Sequence, residues 1–377
     1  DLNKALHRFA EPAPLGAHGF SALCLSMADA MGIKGTKRSA MDTVLALDLK
    51  GIADGDNLED HKASLTGFQA AGLAQVILDA QSWRDEQGTF QTFETGVIVH
   101  QDATCSGLQI AAAITGHRPT AEATNCTEKS ASEERNDVYH DVAELCAQTD
   151  TEIGIICRKF GRSAVKKSVM TLGYGAGRKT LIASVAEFLV LKGVIDCDPK
   201  DWVMDDRSQK VFFKALEAKC GATTSLMQQL MHATEVADIR GTEQVAWETE
   251  DGFIARQSKE KGTELQLGDF KLTVDSEYDL SYQRQAIAPN VVHSIDACQM
   301  RIAVRKLGNN TPVACIHDSL GTRPSDYWVA ARAVREAFLE CGARDTVESF
   351  LNNHDIQLEV LGDYTPEEAL KSSYFWC

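Results

Sequence analysis

Long hydrophobic runs are missing from this 377-residue sequence. No apolar stretch approaches the ~20 residues that a membrane helix needs, and no signal-peptide pattern opens the chain. The 11 cysteines are odd in number and form no C-x-x-C pair, and the 10 histidines form no cluster with ligand spacing. We therefore expect a soluble intracellular protein without membrane spans, whose cysteines are reduced core thiols rather than disulfides or zinc ligands.

Internal repeats and low-complexity segments are also absent, and basic residues are outnumbered by acidic ones, 38 to 54. The length and a hydrophobic content of 44% predict a large core divided among two or three domains. A net charge of -16 opposes nucleic-acid binding unless the charge is segregated. Acid-rich stretches at 54–60, 196–206 and 238–251 are expected to be solvated faces.

One segment is strongly basic although the chain as a whole is acidic. Residues 158–179, RKFGRSAVKKSVMTLGYGAGRK, contain seven Lys or Arg and no acid, which indicates an anionic partner or, more simply, a solvated basic helix. On one helix, Arg162 and Lys166 would share a face, with Tyr174 near the same side. A guanidinium, an ammonium and an aromatic hydroxyl together suit a nucleoside triphosphate.

Two aspartates stand at the ends of short apolar runs. Asp102 follows a β-branched run within TGVIVHQDATCSGLQIAAAI, residues 95–114, and a small-residue helix is predicted after it. Asp318 lies in TPVACIHDSLGTRPSD, residues 311–326, near the tip of a predicted hairpin with a turn signal at Gly321. Each Asp alone is typical of a cap or turn, but as a pair on neighbouring strands they could hold two divalent ions.

Several long motifs resemble the palm and fingers motifs of single-subunit phage and mitochondrial RNA polymerases, and they occur in that family's order. They are DATCSGLQ at 102–109, RSAVKKSVMTLGYG at 162–175, IAPNVVHSIDA at 287–297 and IHDSLGTRPSD at 316–326, and the final YFWC is similar to the family's aromatic carboxyl terminus.

The resemblance implies that Asp102 and Asp318 are the catalytic ligands of two Mg²⁺ ions, with the backbone of Ala103 as an additional candidate ligand. Arg162 and Lys166 would bind the incoming triphosphate, and Lys166 would be the general acid for the departing pyrophosphate.

The remaining implied roles concern the sugar, the template and the shape of the site. Tyr174 would stack at the insertion site and test the sugar, and His293 would lie near the 2′-hydroxyl and the minor groove of the nascent duplex. Gly175, with Gly173, would leave room for the template strand. The implied supporting residues are His317 and Ser319, which would shape the second turn, and Tyr139, in a fingers element near the nucleotide.

A preference for ribonucleotides follows from one position of this resemblance. Related DNA polymerases have a Glu five residues after the first catalytic Asp, where it excludes a 2′-hydroxyl, and this chain has Gly107 there. A hydroxyl that fits and meets polar partners is selected. Gly107 would also permit a close approach of helix and strand, which is compatible with that role.

The implied fold is α+β, a right-hand polymerase fold with an antiparallel palm sheet and mostly helical fingers, lacking a full amino-terminal domain and thumb. Expected boundaries are 1–128 for the first part of the palm, 129–284 for the fingers and 285–377 for the second part of the palm. A small hairpin is predicted at 247–257, with its turn at Asp251-Gly252.

The implied partners are a DNA template, nascent RNA and nucleoside triphosphates. We further expect a second polypeptide that supplies amino-terminal and thumb elements, as in split phage polymerases, and promoter-opening factors, with no membrane. The expected location is the cytoplasm of an infected bacterial host, with a mitochondrial origin as the weaker expectation. Two alternatives are a DNA polymerase of the same fold and a non-catalytic nucleic-acid-binding subunit.

Overall fold

A computed structural model describes residues 6–55, 66–241, 244–258 and 260–376 of the chain, and it confirms the α+β class. The described helices are α1 Gly16–Met31, α2 Lys37–Ala46, α3 Leu49–Asp54, α4 Thr66–Gln87, α5 Ser106–Thr115, α6 Arg118–Ala123, α7 Val138–Ala147, α8 Glu152–Phe160, α9 Lys166–Gly173, α10 Arg178–Leu191, α11 Asp206–Ile239, α12 Leu280–Leu307, α13 Tyr327–Glu340 and α14 Ala343–Asn352. The strands are β1 Arg8–Pro14, β2 Glu94–Val97, β3 Val99–Gln101, β4 Val245–Glu248, β5 Ile254–Gln257, β6 Glu260–Leu267, β7 Phe270–Tyr278, β8 Ala314–Ile316 and β9 Ser319–Thr322.

A three-stranded antiparallel sheet in the order β3-β9-β8 joins two distant parts of the chain. Strands β8 and β9 form the predicted hairpin, with Ile316 opposite Ser319, so that residues 317 and 318 are its two-residue loop. Gly321 lies inside β9 opposite His100, and its predicted role as a turn residue was wrong. A Cβ at Gly321 would lie 2.6 Å from Ile98 Cγ2, so the glycine is needed for packing within the sheet.

Helix α5 is buried over all ten residues, which explains its small and apolar sequence. It begins after Cys105, whose backbone is extended, and ends at Gly116 in the left-handed conformation, which favours glycine. Because every face of α5 meets protein, its amino-terminal end is held rigidly beside the sheet.

Three clusters of buried apolar residues form the core. One lies mainly within residues 6–99, a second within residues 105–220, and the third joins residues 110–126 to residues 222–376. Helix α5 contributes Leu108 to the second cluster and Ile110 to the third, so it connects two parts of the core. The boundaries near residues 128 and 284 stay predictions.

The basic segment folds differently from the predicted single helix. Gly161 adopts φ +56° at the end of α8, and residues 161–164 form a 3₁₀ turn that contains Arg162. Helix α9 starts only at Lys166, and Tyr174 caps its end. Arg162 therefore does not share a helical face with Lys166, because Arg162 lies in the 3₁₀ turn that precedes α9.

Two hairpins lie between α11 and α12. The predicted β4–β5 hairpin is confirmed, but Asp251 in its turn is not part of a solvated acidic face. The side chain of Asp251 is only 5% exposed and pairs with Arg301 of α12. The hairpin of β6 and β7 was not predicted.

Eight of the ten described cysteines are buried, in agreement with the prediction of core thiols, while Cys197 and Cys315 are exposed. Within the described ranges, no helix is both long and apolar enough to cross a membrane.

Candidate active site

The structure brings Asp102 and Asp318 to the same edge of the three-stranded sheet. Asp102 directly follows β3, and Gln101 before it pairs with Leu320 of β9. The Ser319 hydroxyl donates to the Gln101 carbonyl at 3.2 Å, which ties the hairpin loop to the end of β3. Burial and the neighbouring charge of Asp318 raise the pKa of Asp102, so the two carboxylates are close enough to repel each other.

His317, beside Asp318 in the loop, has φ +54°. This left-handed conformation is uncommon for a residue with a side chain. His317 thus lies in the loop and Ser319 begins β9 directly after it, and their role in shaping the site stays a prediction.

Ser106, the first residue of α5, links several polar groups in this region. Its hydroxyl oxygen lies 3.1 Å from the Tyr174 hydroxyl, 3.0 Å from Asp296 Oδ2 and 3.3 Å from Asp318 Oδ2. The serine is only 2% exposed. Residues far apart in the sequence are therefore connected through one buried hydroxyl.

Asp296 of α12 is a buried acid: its side chain accepts a hydrogen bond from the Ser106 hydroxyl, and its second oxygen, Oδ1, has no hydrogen-bond partner within the described part of the chain. Burial raises the pKa of Asp296 to about 7, and the charges of Asp318 and Asp102 add to the effect while the Ser106 hydrogen bond opposes it. Three acidic groups thus share this end of the site.

Tyr174 and His293 face each other, with ring centroids 4.6 Å apart. Burial raises the pKa of the Tyr174 hydroxyl and lowers the pKa of His293, although the charge of Asp318 partly offsets the latter effect. At neutral pH we therefore expect a protonated phenol beside a neutral imidazole. The two residues predicted to test the sugar lie together.

The glycines around Tyr174 are packed against protein. A Cβ on Gly107 would lie 2.6 Å from the carbonyl oxygen of Gly173, so the glycine allows α5 to touch α9 rather than a strand. Gly173 faces the Cys105 sulfur, and Gly175 has φ +83° and faces Ala288 of α12. The positive φ accounts for a glycine at position 175, and the role of Gly173 and Gly175 in leaving room for a template strand stays a prediction.

Lys166 and Arg162 reach the site from different elements. The charge of Lys166 lowers the pKa of Asp102, together with that of Arg135. Arg162 Nε lies 3.0 Å from Asp137 Oδ2, and its guanidinium lies 5.2 Å from the centre of the Tyr139 ring. Lys166 therefore lies close enough to Asp102 to act on its charge, whereas Arg162 is held beside Asp137 and Tyr139.

Tyr139 supports the backbone behind Asp102. It is 7% exposed, and its hydroxyl donates to the Thr104 carbonyl at 3.1 Å. Asp137 caps α7 by accepting hydrogen bonds from the Tyr139 and His140 amides. The Asp137-Val138-Tyr139 element thus positions Arg162 and the segment after Asp102.

Two open clefts adjoin these residues. One, of about 930 Å³, is lined by Arg162 and Tyr139 and by four further cations, Lys34, Lys37, Lys129 and Arg135. The other, of about 920 Å³, is lined by Tyr174, His293, Asp296 and Asp318 together with Arg301 and Arg305. Both clefts carry charges of both signs: five acids, Asp29, Glu133, Glu134, Asp137 and Asp141, balance the five cations of the first, and the second holds three acids, including Asp251, beside its two cations.

The aromatic carboxyl terminus packs beside Asp102. Trp376 forms an isolated β-bridge with Ala103, and the Phe375 carbonyl accepts a hydrogen bond of 3.2 Å from the Gln109 side chain. The Ala103 amide donates to Asp102 Oδ1 at 2.8 Å. The backbone next to the first carboxylate is thus fixed from both sides.

The donor set suits a hard divalent cation that completes its shell from substrate and water. In the described ranges no group of three or more His, Cys, Asp or Glu side chains is arranged to hold a metal ion. Mg²⁺ is commonly bound through one or two carboxylates plus substrate phosphates. A bound cation would offset both the burial and the charge of Asp318 that raise the pKa of Asp102, so the residues present fit Mg²⁺.

Comparison with known proteins agrees with this geometry. The family model for DNA-dependent RNA polymerase matches residues 13–372. The chain belongs to this family. Its relatives include the mitochondrial DNA-directed RNA polymerase 1 of Nicotiana sylvestris, 27% identical over 418 residues, which cover 100% of this chain and 40% of that protein. DNA-directed RNA polymerase 2A of Nicotiana tabacum is 28% identical over 320 residues, which cover 76% of this chain and 93% of that protein.

The chain thus spans about two fifths of the length of several relatives, including the chloroplastic DNA-directed RNA polymerase 3B of Nicotiana tabacum, of which it covers 41%. Family membership confirms the resemblance seen in the motifs and implies a right-hand polymerase fold.

Sequence reasoning missed Ser106 and Asp296, although both lie inside quoted motifs. Asp296 is a single acid in the apolar stretch VVHSIDACQM, three residues after His293. On a helix this spacing places both side chains on one face. That pattern could have marked Asp296 as a site residue, whereas its contact with Ser106, 190 positions away, is set by tertiary structure.

Proposed function

We propose that this chain is the catalytic part of a DNA-directed RNA polymerase, which transfers nucleoside monophosphates from triphosphates to the 3′ end of RNA. The observation that carries the proposal is the meeting of Asp102 and Asp318 at one sheet edge, with the charge of Lys166 acting on Asp102. Membership of the polymerase family supports it. In the proposed organisation, residues 1–128 and 285–377 form the palm and residues 129–284 form the fingers.

In the proposed mechanism Asp102 and Asp318 would hold two Mg²⁺ ions, which would supply charge stabilisation for the attacking and leaving oxygens. The backbone of Ala103 is a further candidate ligand. Arg162, anchored by Asp137, presents its guanidinium to the triphosphate in the first cleft. Lys166 donates a proton to the departing pyrophosphate.

The sugar and base are read by groups on the other side of the carboxylates. Tyr174 stacks on the incoming base and His293 approaches the 2′-hydroxyl, since their rings lie together at the edge of the second cleft. Ribonucleotide selection follows when the 2′-hydroxyl meets polar partners there. Gly107 contributes by letting α5 and α9 approach, which sets the position of Tyr174.

The proposed partners are a DNA template, nascent RNA and nucleoside triphosphates. A second polypeptide with amino-terminal and thumb elements, promoter-opening factors, and a phage origin with function in the bacterial cytoplasm stay predictions. The relatives named above that carry a location are described as mitochondrial or chloroplastic, which keeps an organellar origin as the alternative.

The test is extension of an RNA primer on single-stranded DNA with Mg²⁺, offering one nucleotide at a time. We expect incorporation only of the ribonucleotide that pairs with the template base. Preferential incorporation of deoxynucleotides would favour a DNA polymerase. If the chain binds the primer and template but extends the primer with no nucleotide, the result would favour a non-catalytic nucleic-acid-binding subunit.

A further inference from the structure

The hydrogen bonds of Ser106 must share a single proton. A serine hydroxyl has one proton to donate and two lone pairs that accept, yet the Ser106 oxygen lies within hydrogen-bond distance of Asp296, Asp318 and the Tyr174 hydroxyl. It can donate to only one of the two carboxylates at a time. The distance to Asp296 Oδ2 is 3.0 Å and that to Asp318 Oδ2 is 3.3 Å, so Asp296 is the better acceptor.

Donation from Ser106 to Asp296 has two consequences. The Tyr174 hydroxyl must then donate its proton to Ser106, because the serine proton is already used. The lone pairs of the Tyr174 oxygen are left as acceptors on the side away from Ser106. Asp318 also keeps its lone pairs for a cation instead of accepting the serine proton.

The burial of Asp296 argues against a merely structural role. The residue is 8% exposed, and its Oδ1 atom has no hydrogen-bond partner within the described residues. A buried polar atom without a partner is destabilising, and an apolar side chain at this position of α12 would pack without that penalty. Asp296 lies one helical turn after His293, whose ring contacts Tyr174, so both α12 side chains act on the same group.

We propose that Asp296 is a positioning residue which, through the Ser106 hydroxyl, fixes the Tyr174 hydroxyl as a hydrogen-bond acceptor for the ribose 2′-hydroxyl. This inference rests on the proposed polymerase function. A 2′-hydroxyl donates to the acceptor that Tyr174 presents, whereas a deoxyribose has nothing to donate. Asp296 thus contributes to the preference for ribonucleotides without touching the substrate.

The experiment measures kcat/KM for a ribonucleotide and for the matching 2′-deoxynucleotide in single-nucleotide extension at pH 8. We expect Asp296→Ala and Ser106→Ala each to lower the ratio of the two values by about tenfold, which corresponds to the loss of one hydrogen bond. The fall should come from the ribonucleotide. Asp296→Asn retains an acceptor oxygen and should keep the ratio within about threefold of the parent.

A double-mutant cycle separates this mechanism from general damage to the site. In a Tyr174→Phe background, Asp296→Ala and Ser106→Ala should change the ratio no further, because the hydroxyl through which they act is gone. The control is Thr115→Val at the far end of α5, which deletes a buried hydroxyl bonded to the Ala111 carbonyl at 2.8 Å and should leave the ratio unchanged.

Three results would count against the proposal, and they are distinguishable. If the parent extends primers with a ribose preference but both alanine variants keep that preference, the inference is wrong. If both variants slow the two nucleotides equally, or remain additive with Tyr174→Phe, the residues only support the fold and the inference is again wrong. If the parent extends no primer with any nucleotide, the proposed function fails, and the inference fails with it.

Discussion

Replacement of Gly107 by Ala tests whether the contact between α5 and α9 sets the geometry of the site. The added Cβ would lie 2.6 Å from the Gly173 carbonyl oxygen and 3.3 Å from Tyr174 Cε1, whereas ordinary contact begins near 3.4 Å. The obstacle at 2.6 Å is backbone and cannot rotate away. The two helices must therefore separate by about 0.8 Å.

The effect on rate should exceed the effect on stability. Overpacking costs roughly 1–3 kcal/mol, but Ala is about 1 kcal/mol better than Gly inside a helix, so the net destabilisation is only about 0–2 kcal/mol. Lys166 and Tyr174 move with α9, however, and a misplacement near 1 Å can lower a rate about 100-fold. We expect Gly107→Ala to lower kcat/KM for primer extension by about 10- to 100-fold while the protein stays folded.

The assay is single-nucleotide extension, with thermal unfolding measured on the same preparations. Gly177→Ala is the matched control, because a Cβ at Gly177 would meet no atom within 4 Å; its extension rate should stay within about threefold of the parent. Parental activity of Gly107→Ala would refute the reasoning, since it would mean that α9 can shift without disturbing the site.

Three further predictions concern charged groups. Asp251→Asn should lower the free energy of unfolding by roughly 2–3 kcal/mol at pH 7, because it breaks the ion pair between the nearly buried Asp251 and the partly exposed Arg301. The Arg301 guanidinium holds the pKa of Asp251 well below its usual range, so the difference in unfolding free energy between parent and variant should persist above about pH 4 and shrink below it. Urea unfolding measures this difference, and a value that does not change with pH would contradict the prediction. Asp296→Asn should raise the melting temperature in metal-free buffer at pH 8, because burial raises the pKa of Asp296 to about 7 and ionisation is then unfavourable in the folded state. The increase in melting temperature should be complete above pH 7 and disappear below about pH 4. An increase that grows on acidification would contradict the prediction. Lys166→Ala should slow extension by about 100-fold, whereas Lys167→Ala, which loses only an exposed pair with Glu187, should leave the rate unchanged. Equal rates for the two variants would argue against Lys166 as the general acid.

The sequence was sufficient for features that depend on local pattern. Asp102 and Asp318 were predicted at strand ends because a few adjacent residues are enough to indicate a β-branched strand or a short hairpin. The register of β3 with β9 then brings the two aspartates together. The helix after Asp102 and the β4–β5 hairpin were predicted for the same reason.

Features that depend on tertiary contacts were not predictable in this way. The break was missed because the spacing of Arg162 and Lys166 fits a helix equally well. The positive φ of Gly161 ends α8 before Arg162, and the 3₁₀ turn at residues 161–164 separates Arg162 from α9. The contact of Ser106 with Asp296 depends on how α12 packs near α5. The close packing of Gly107 and Gly173 likewise depends on two helices whose approach no local pattern encodes.

The most direct measurement of the central claim compares RNA primer extension by the parent, by Asp318→Asn and by Asp42→Asn on single-stranded DNA with Mg²⁺. Asp318→Asn removes one charge from the paired carboxylates without creating a cavity, whereas Asp42 is an exposed residue of α2 whose side chain is 71% accessible. We predict that Asp318→Asn abolishes extension with an unchanged melting profile and that Asp42→Asn extends like the parent. Equal extension by all three proteins would contradict the assignment of Asp318 to the catalytic centre.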